Sequence, residues 1–471
     1  MDMLQVRGNQ IVDSQGRPVR LRGTCVGGWM NMENFIDGYP GAEAGIRAAM
    51  AEELGPARAQ FFFDRLLDHF FSEDDVTFLA ENGVNCVRLP LNYRHFECDA
   101  GPGEYLDTGF ARLDEAIGWC GRHGIYVILD LHAVQGAQNP DWHSDNACGE
   151  ALFWQHLHFQ ERFYDLWQNI ARRYQGHSTV AGYNVMNEPV TGWPHGRTVA
   201  PYRPNWELLN RTYREVVRAI RIIDPQHIIF LEGDFFSQRF AGLEPPYARN
   251  LVYSSHNYVA AGFGPGPYPG TIQGQYWDRE YQRAHFADQE GTRYAKEQQV
   301  PLWVGEFGAI FNGPEEERAG RLLALDDEIS VLEQFAVHWT TWTYKDVGVM
   351  GWVTVDPESE YMHVIRPALE AKLQLGTDLW GRWLPPTPAR ETVQRLAEVV
   401  AGVLEADPQA VHSVLDAIIL PDRVGAMLQP AYARCFHGMS EAAIDRVLAS
   451  FAFKNCRVNE GVAGVVRKYL G

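Results

Sequence analysis

Val180-Ala181-Gly182-Tyr183-Asn184-Val185-Met186-Asn187-Glu188-Pro189 is a largely apolar run that ends on an amide and a carboxylate. Leu302-Trp303-Val304-Gly305-Glu306-Phe307-Gly308 shows the same pattern later in the chain. Short apolar runs rich in β-branched and aromatic residues, bounded by turn residues, are what strands buried on both faces look like. Each run therefore reads as a parallel strand with a glutamate at its C-terminal end. The two glutamates are far apart in sequence, so only a fold that gathers strand ends unites them. Two carboxylates so united are what acid/base-assisted cleavage of a glycosidic bond requires. Asn187 could hold a sugar hydroxyl, and Gly308 is expected where the backbone turns close to a ligand.

Outward from these two runs the same alternation continues. Eight strands are expected at residues 19–24, 84–90, 125–132, 180–188, 227–232, 251–256, 301–306 and 337–344, with amphipathic helices between them, such as 110–122 and 206–223. Repeated strand–helix units predict an α/β fold, a closed (β/α)8 TIM barrel. Residues 9–19 read as a hairpin that plugs the barrel floor. The connections 31–71, 258–290 and 345–383 follow strands, so they lie on the face where barrel enzymes build their sites. The glycine-rich stretch 262–270 is interrupted by prolines that forbid a following helix N-terminus, which argues against a nucleotide site. After Pro385-Pro386 the pattern turns helical. The catalytic barrel is thus expected at 1–385 and a helical C-terminal appendage at 386–471, its stripes Val399/Val403 and Val411/Leu415/Ile418 buried against the barrel or a second subunit.

Composition narrows the partners. Asp plus Glu outnumber Lys plus Arg by 60 to 41, for a net charge of −19, so nucleic acid and anionic lipid are disfavoured and a neutral or cationic small molecule is favoured. With 14 Trp and 20 Tyr, either sugar-stacking rings or a large core account for the aromatic content. The seven cysteines have no Cys-x-x-Cys spacing and read as free thiols. The first residues lack a basic start followed by an apolar stretch, and no window reaches membrane-spanning length. A cytoplasmic location is expected, with a secreted chain whose leader has been removed as the alternative. No His-Glu-x-x-His or comparable spacing supports a metal, and no Gly-x-Ser-x-Gly elbow supports a serine hydrolase. No cofactor is expected.

The order of residues at the strand ends carries more weight than either tripeptide alone. Arg88 ends the second strand, His132 the third, Asn187-Glu188 the fourth, Glu306 the seventh; His256 and Tyr258 follow the sixth, and Trp342 lies on the eighth. In this the chain resembles glycoside hydrolase family 5, of the clan of retaining barrel glycosidases, over about residues 8–352. The run Leu21-Arg22-Gly23-Thr24-Cys25-Val26-Gly27-Gly28-Trp29 with Glu33, then Leu129-Asp130-Leu131-His132, Gly136-Ala137-Gln138-Asn139 and Trp342-Thr343-Tyr344-Lys345 are similar to the exo-β-glucanase and β-glucosidase branch. Ala133-Val134-Gln135 and Pro140-Asp141-Trp142-His143 depart from that branch at the pocket wall.

The resemblance implies Glu306 as nucleophile and Glu188 as acid/base, about 5 Å apart, with retention of configuration. Arg88 and Tyr258 would hold Glu306 ionised, and Asn187 would bind the 2-hydroxyl. Glu33, His132 and His256 are candidate hydroxyl ligands, and Trp342 and Trp352 candidate stacking surfaces. The expected activity is an exo-acting retaining β-glycosidase on neutral short oligosaccharides or glycosides. An endo-β-glucanase or mannanase is the alternative within the class, and a non-catalytic carbohydrate-binding barrel the alternative outside it. A homo-oligomer through the C-terminal helices stays open.

Overall fold

The computed structural model describes residues 1–378 and 386–470. Eight parallel strands close into a barrel in sequential order: β1 (Arg22–Cys25), β2 (Cys86–Asn92), β3 (Tyr126–Ala133), β4 (Val180–Asn184), β5 (Ile228–Glu232), β6 (Leu251–Asn257), β7 (Leu302–Phe307) and β8 (His338–Thr341). The ring is sealed by β8 on β1, with Trp339 opposite Arg22. All eight expected strands are present within a few residues. The largest shortfalls are in β8, which spans only His338–Thr341, and in β4, whose ladder stops at Asn184, short of the expected Glu188. The backbone beyond it is aimed at the site by single bonds, such as the Asn187 N–H to the Leu131 carbonyl at 3.2 Å.

The expected hairpin is present, with Val12 bridging Pro18 antiparallel and the Val19 N–H donating to the Ile11 carbonyl at 2.9 Å, and it is extended at its start by the ladder of Gln5–Arg7 with Gln10–Val12. It does close the floor. Leu4 and Ile11 pack with Leu21, Ile128, Phe230 and Trp303 in a small core separate from the main one. The expected helices appear as Asp107–Arg122 and Trp206–Arg221. The main core takes most of the aromatic residues: Trp29, Trp167, Trp339 and Trp352 are all fully buried in it. The large core, and not exposed stacking rings, therefore accounts for most of the tryptophan content.

The connection after β1 forms the helices Asn34–Asp37, Glu43–Leu54 and Pro56–Phe70. The one after β8 forms short strands Lys345–Asp346 and Val353–Val355 and then helix Glu360–Leu375. The expected junction at residue 385 and the end of the connection at 383 lie outside the described residues. From Pro388 onward the chain is mostly helical, but Cys456–Val458 adds an antiparallel strand to Val353–Val355, so this segment shares a sheet with the barrel's last connection. Its buried stripe differs from expectation. Helix Pro388–Leu404 turns Ala397 and Ala401 toward Val411 of helix Pro408–Ala417, while Val399 and Val403 are 65% and 79% exposed. The two helices pack closely, which favours small side chains between them and leaves the branched ones outside.

Candidate active site

Side chains on a strand alternate between faces, so one inward position per strand end is enough to build a ring of functional groups. Arg88 comes from β2, Asp130 and His132 from β3, Glu232 from β5, His256 from β6 and Glu306 from β7. Glu188 follows β4 and Tyr258 follows β6.

Arg88 is the hub, fully buried. Its Nη1 donates to Glu306 Oε1 at 2.5 Å, its Nη2 to Asn187 Oδ1 at 2.7 Å and its Nε to Asn184 Oδ1 at 3.1 Å. Asp130 and Glu232 add carboxylate oxygens at 3.1 and 3.3 Å from Nη2. Beneath it lies the Trp303 ring, 5.5 Å from the guanidinium carbon. Cations so enclosed are tolerated only when every donor is used, as here.

Glu306 is held at both oxygens, Oε1 by Arg88 and Oε2 by the Tyr258 hydroxyl at 2.8 Å. Burial pushes its carboxyl up, but His256 and Arg88 together keep it below the ordinary carboxylate range. Glu188 lies opposite. Its Oε1 receives His256 Nδ1 at 2.6 Å, and its Oε2 lies 3.5 Å from His143 Nε2. Burial raises its pKa, and the negative charge of Glu306 adds to the rise against the pull of His256. Oxygens of the two glutamates and a nitrogen of His256 all lie within 4.8 Å of one another. His256 itself is held well above its usual value: burial opposes its charge, but Glu306, Glu232 and Glu188 outweigh it.

Glu188 has φ of +46°, a left-handed conformation that costs of order 1 kcal/mol for a residue with a side chain. Its backbone is held there from both sides. The N–H donates to Glu232 Oε2 at 2.8 Å and the carbonyl accepts from Asn139 Nδ2 at 3.1 Å.

His132 completes the ring on the β1 side. Its Nδ1 bonds Asp130 at 2.7 Å, and its Nε2 lies 3.2 Å from Asn187 Nδ2 and 3.3 Å from Glu33 Oε1. Burial pushes His132 well down, so it is a neutral ring donating through Nδ1. Burial, Glu306 and Glu188 push Glu33 well up, making it a neutral acid able to donate. Trp342 stacks on His132 at 5.3 Å and 10°.

The structure thus brings together Glu33, Arg88, His132, Asn187, Glu188, His256, Tyr258, Glu306 and Trp342. Trp352 stands apart: it is 1% exposed in the main core and donates its indole N–H to Thr341, one residue before Trp342. Gly308 approaches backbone, not an open cavity; a Cβ there would lie 2.6 Å from the Trp342 carbonyl oxygen. Sequence reading gave no role to Asp130, which it held only as part of the third-strand motif, or to His143, which it placed only in the pocket wall, and it missed Glu232. Asp130 precedes His132 by two on an alternating strand and Glu232 ends the fifth strand, so both carried a positional signal. His143 lies in a 3-10 turn, Trp142–Ser144, where no periodicity points to it.

From His256 and Tyr258 a groove of about 620 Å³ runs outward between Arg239 on the connection after β5 and Tyr281 and His285 on helix Arg279–Asp288. Ser255 Oγ, buried along it, has no hydrogen-bond partner.

Comparison with known proteins agrees with this geometry. The family profile Cellulase (glycosyl hydrolase family 5) matches residues 67–348. A beta-xylosidase of Phanerodontia chrysosporium is 36% identical, over 99% of this chain and 98% of that protein. Endoglucanase C of Acetivibrio thermocellus is 24% identical over 61% of this chain and 87% of its own length. A probable glucan 1,3-beta-glucosidase A of Aspergillus fumigatus is 25% identical over 70% and 84%. A crystal structure of a glycoside hydrolase superposes with a TM-score of 0.51 at 20% identity, over 70% of this chain and 90% of that one.

Proposed function

The chain belongs to glycosyl hydrolase family 5 and is a retaining glycoside hydrolase, and from that premise we propose that Glu306 is its nucleophile and Glu188 its acid/base in exo-acting cleavage of neutral β-glycosides. The carrying observation is the division of labour around His256. It takes Oε1 of Glu188, which leaves Oε2 to deliver a proton, while Arg88 and Tyr258 fix both oxygens of Glu306.

In the first step a carboxylate oxygen of Glu306 attacks the anomeric carbon, the bond to the leaving oxygen breaks, and Oε2 of Glu188 gives that oxygen its proton. The glycosyl ester cancels the charge of Glu306. Since that charge helps hold Glu188 protonated, Glu188 becomes the stronger acid and stays ionised. It then takes a proton from water, whose oxygen attacks the anomeric carbon and returns Glu306 as a carboxylate. Asn187 Nδ2 spends one hydrogen on His132 and keeps the second for the 2-hydroxyl. Neutral Glu33 is the further hydroxyl ligand, and His132, with Nδ1 spent on Asp130 and Nε2 on Asn187, orients Asn187.

Exo action is supported by the closed glycone side, where the connections after β1 and β3 meet. Asn31 Nδ2 donates to the His143 carbonyl at 3.2 Å, and Phe35 meets Trp142 edge-on at 6.0 Å. The groove beside Tyr258 is the leaving-group side, and its polar lining suits a glycosyl aglycone. An endo-β-glucanase or mannanase would need the β1–β3 side open. A non-catalytic barrel would have no use for two facing carboxyl groups whose pKa values are pushed in opposite directions.

The name of the Phanerodontia relative makes β-xylosides a first glycone to test, beside β-glucosides. The seven unpaired cysteines support a reducing, cytoplasmic setting. Among the described residues no helix is long and apolar enough to cross a membrane. Nitrophenyl β-glycosides varied at the sugar, with NMR of the first product, test the reading. A β anomer released from the non-reducing end is expected, and an α anomer would remove Glu306 as nucleophile.

A further inference from the structure

Residues 31–42, which carry Glu33, and residues 361–470 both lie outside the stretch matched by the family profile. They are bonded to each other through six backbone carbonyls between Asn34 and Ala42. The ammonium of Lys372, on helix Glu360–Leu375, donates to the carbonyls of Asn34 at 2.9 Å, Gly38 at 3.3 Å and Tyr39 at 2.9 Å, with Asp378 at 3.1 Å as its counter-charge. Tyr361, on the same helix, gives its hydroxyl to the Asp37 carbonyl at 2.6 Å and meets the Tyr432 hydroxyl at 2.7 Å. Gln429, on helix Gly425–Arg434, donates to the carbonyls of Pro40 at 3.0 Å and Ala42 at 2.9 Å. The approach is close: a Cβ on Gly41, whose φ is +75°, would fall 2.7 Å from the Gln429 amide nitrogen.

The loop's own bonds close a single turn around Glu33, whose carbonyl accepts from the N–H groups of Ile36 and Asp37 and whose N–H donates to Asp37 Oδ2 at 3.1 Å, and they do not tie that turn to the rest of the molecule. Here two side chains of the helix after β8 and one of the C-terminal helices grip six of its carbonyls. Lys372 is only 3% exposed, and burial lowers its pKa against the pull of Asp378 and Asp37. Burying an ammonium is unfavourable unless its donors are all satisfied, so the loop is strongly held in the conformation that satisfies them. That conformation sets Glu33 Oε1 3.3 Å from His132 Nε2 and Phe35 against Trp142, next to the His143 that faces Glu188.

We propose that the helix after β8 and the C-terminal helices packed on it are a part of the active site: through Lys372, Tyr361 and Gln429 they position the 31–42 loop and so set the closed glycone end. Lys372 and Tyr361 are positioning residues that act through Glu33, and the inference rests on the reading of Glu33 as a hydroxyl ligand. An error of about 1 Å in such a group costs up to about 100-fold in rate, so losing one grip is well within measurement.

The test is a double-mutant cycle in the full-length enzyme on the nitrophenyl glycoside it turns over best. Lys372→Met and Tyr361→Phe are each combined with Glu33→Ala, and KM, kcat and Tm are measured for all. Lys372→Met is expected to raise KM about tenfold with a smaller change in kcat, and to add little further in the Glu33→Ala background. Tyr361→Phe, which removes one hydroxyl, carries the test if Lys372→Met does not fold. If Glu33→Ala leaves KM unchanged, the reading of Glu33 itself fails. If Glu33→Ala raises KM but the positioning variants only lower Tm, or their effects multiply with that of Glu33→Ala, the positioning role is overturned and Glu33 keeps its own.

Discussion

His256 Nδ1 lies 2.6 Å from Oε1 of Glu188, so the acid is anchored through one oxygen and works through the other. The same nitrogen is 3.6 Å from Oε2 of Glu306. One imidazolium therefore acts on both carboxyls and lowers the pKa of each, while their environments keep the two apart.

This sets a signed expectation for the pH profile. In the wild type kcat/KM should fall at low pH where Glu306 takes a proton, below the ordinary carboxylate value, and at high pH where Glu188 loses one, above it. His256→Asn removes a charge that lowers both, so both limbs should move to higher pH. Limbs that stay in place in the variant would mean that His256 is not charged in the free enzyme.

Glu306→Gly should reduce turnover by about 10⁴-fold or more, because an interaction made only in the transition state is removed. Added azide should then restore glycosyl transfer with inverted product, a small anion filling the vacated space. Glu188→Ala should behave differently and keep the first step for activated aryl leaving groups, which need no proton. Wild-type hydrolysis of a poor leaving group by either variant would refute the assignment.

His338, in β8, accepts the Leu21 N–H through Nδ1 at 3.0 Å, and burial together with Arg20 and Arg22 pushes its pKa down to about 3. The unfolded chain takes up this proton as pH falls through about 6.5, while the folded chain does not until far lower. Stability is therefore lost on acidification from pH 6.5 toward 3, by roughly 2 kcal/mol at pH 5 from this residue alone. His338→Asn keeps an acceptor and cannot titrate. Denaturation curves at pH 7 and pH 5 should show a smaller acid loss in the variant, and an unchanged loss would mean that His338 titrates in the folded state.

The eight strands were readable in sequence because a barrel strand buried on both faces is a short apolar run, and a strand end is where that run meets a polar residue. That logic found Arg88, His132, Glu188, His256 and Glu306. It did not reach His143, whose place beside Glu188 depends on an irregular turn held by Asn139. It also misplaced Trp352, since whether an indole faces a cavity or a core depends on where the chain goes after β8. The stripe in helix Pro388–Leu404 was misjudged for a related reason: apolar spacing marks two candidate faces, and close packing chose the alanines.

That choice makes the last prediction. Phe451 is fully buried between Phe70, at 5.6 Å, and Tyr361, at 4.7 Å, and its carbonyl accepts from the buried Lys345 ammonium at 2.9 Å. Phe451→Ala should cost about 3–5 kcal/mol, the usual range for emptying such a site, and lower Tm accordingly. Val403→Lys, on the exposed face, should change stability by no more than about 0.5 kcal/mol. Sedimentation of Val403→Lys beside the wild type separates two meanings of that exposed face. An unchanged mass with an unchanged Tm fits a face that is simply solvated. A fall in mass with a fall in Tm would make it a contact between two copies of the chain, and would overturn the prediction of a neutral substitution.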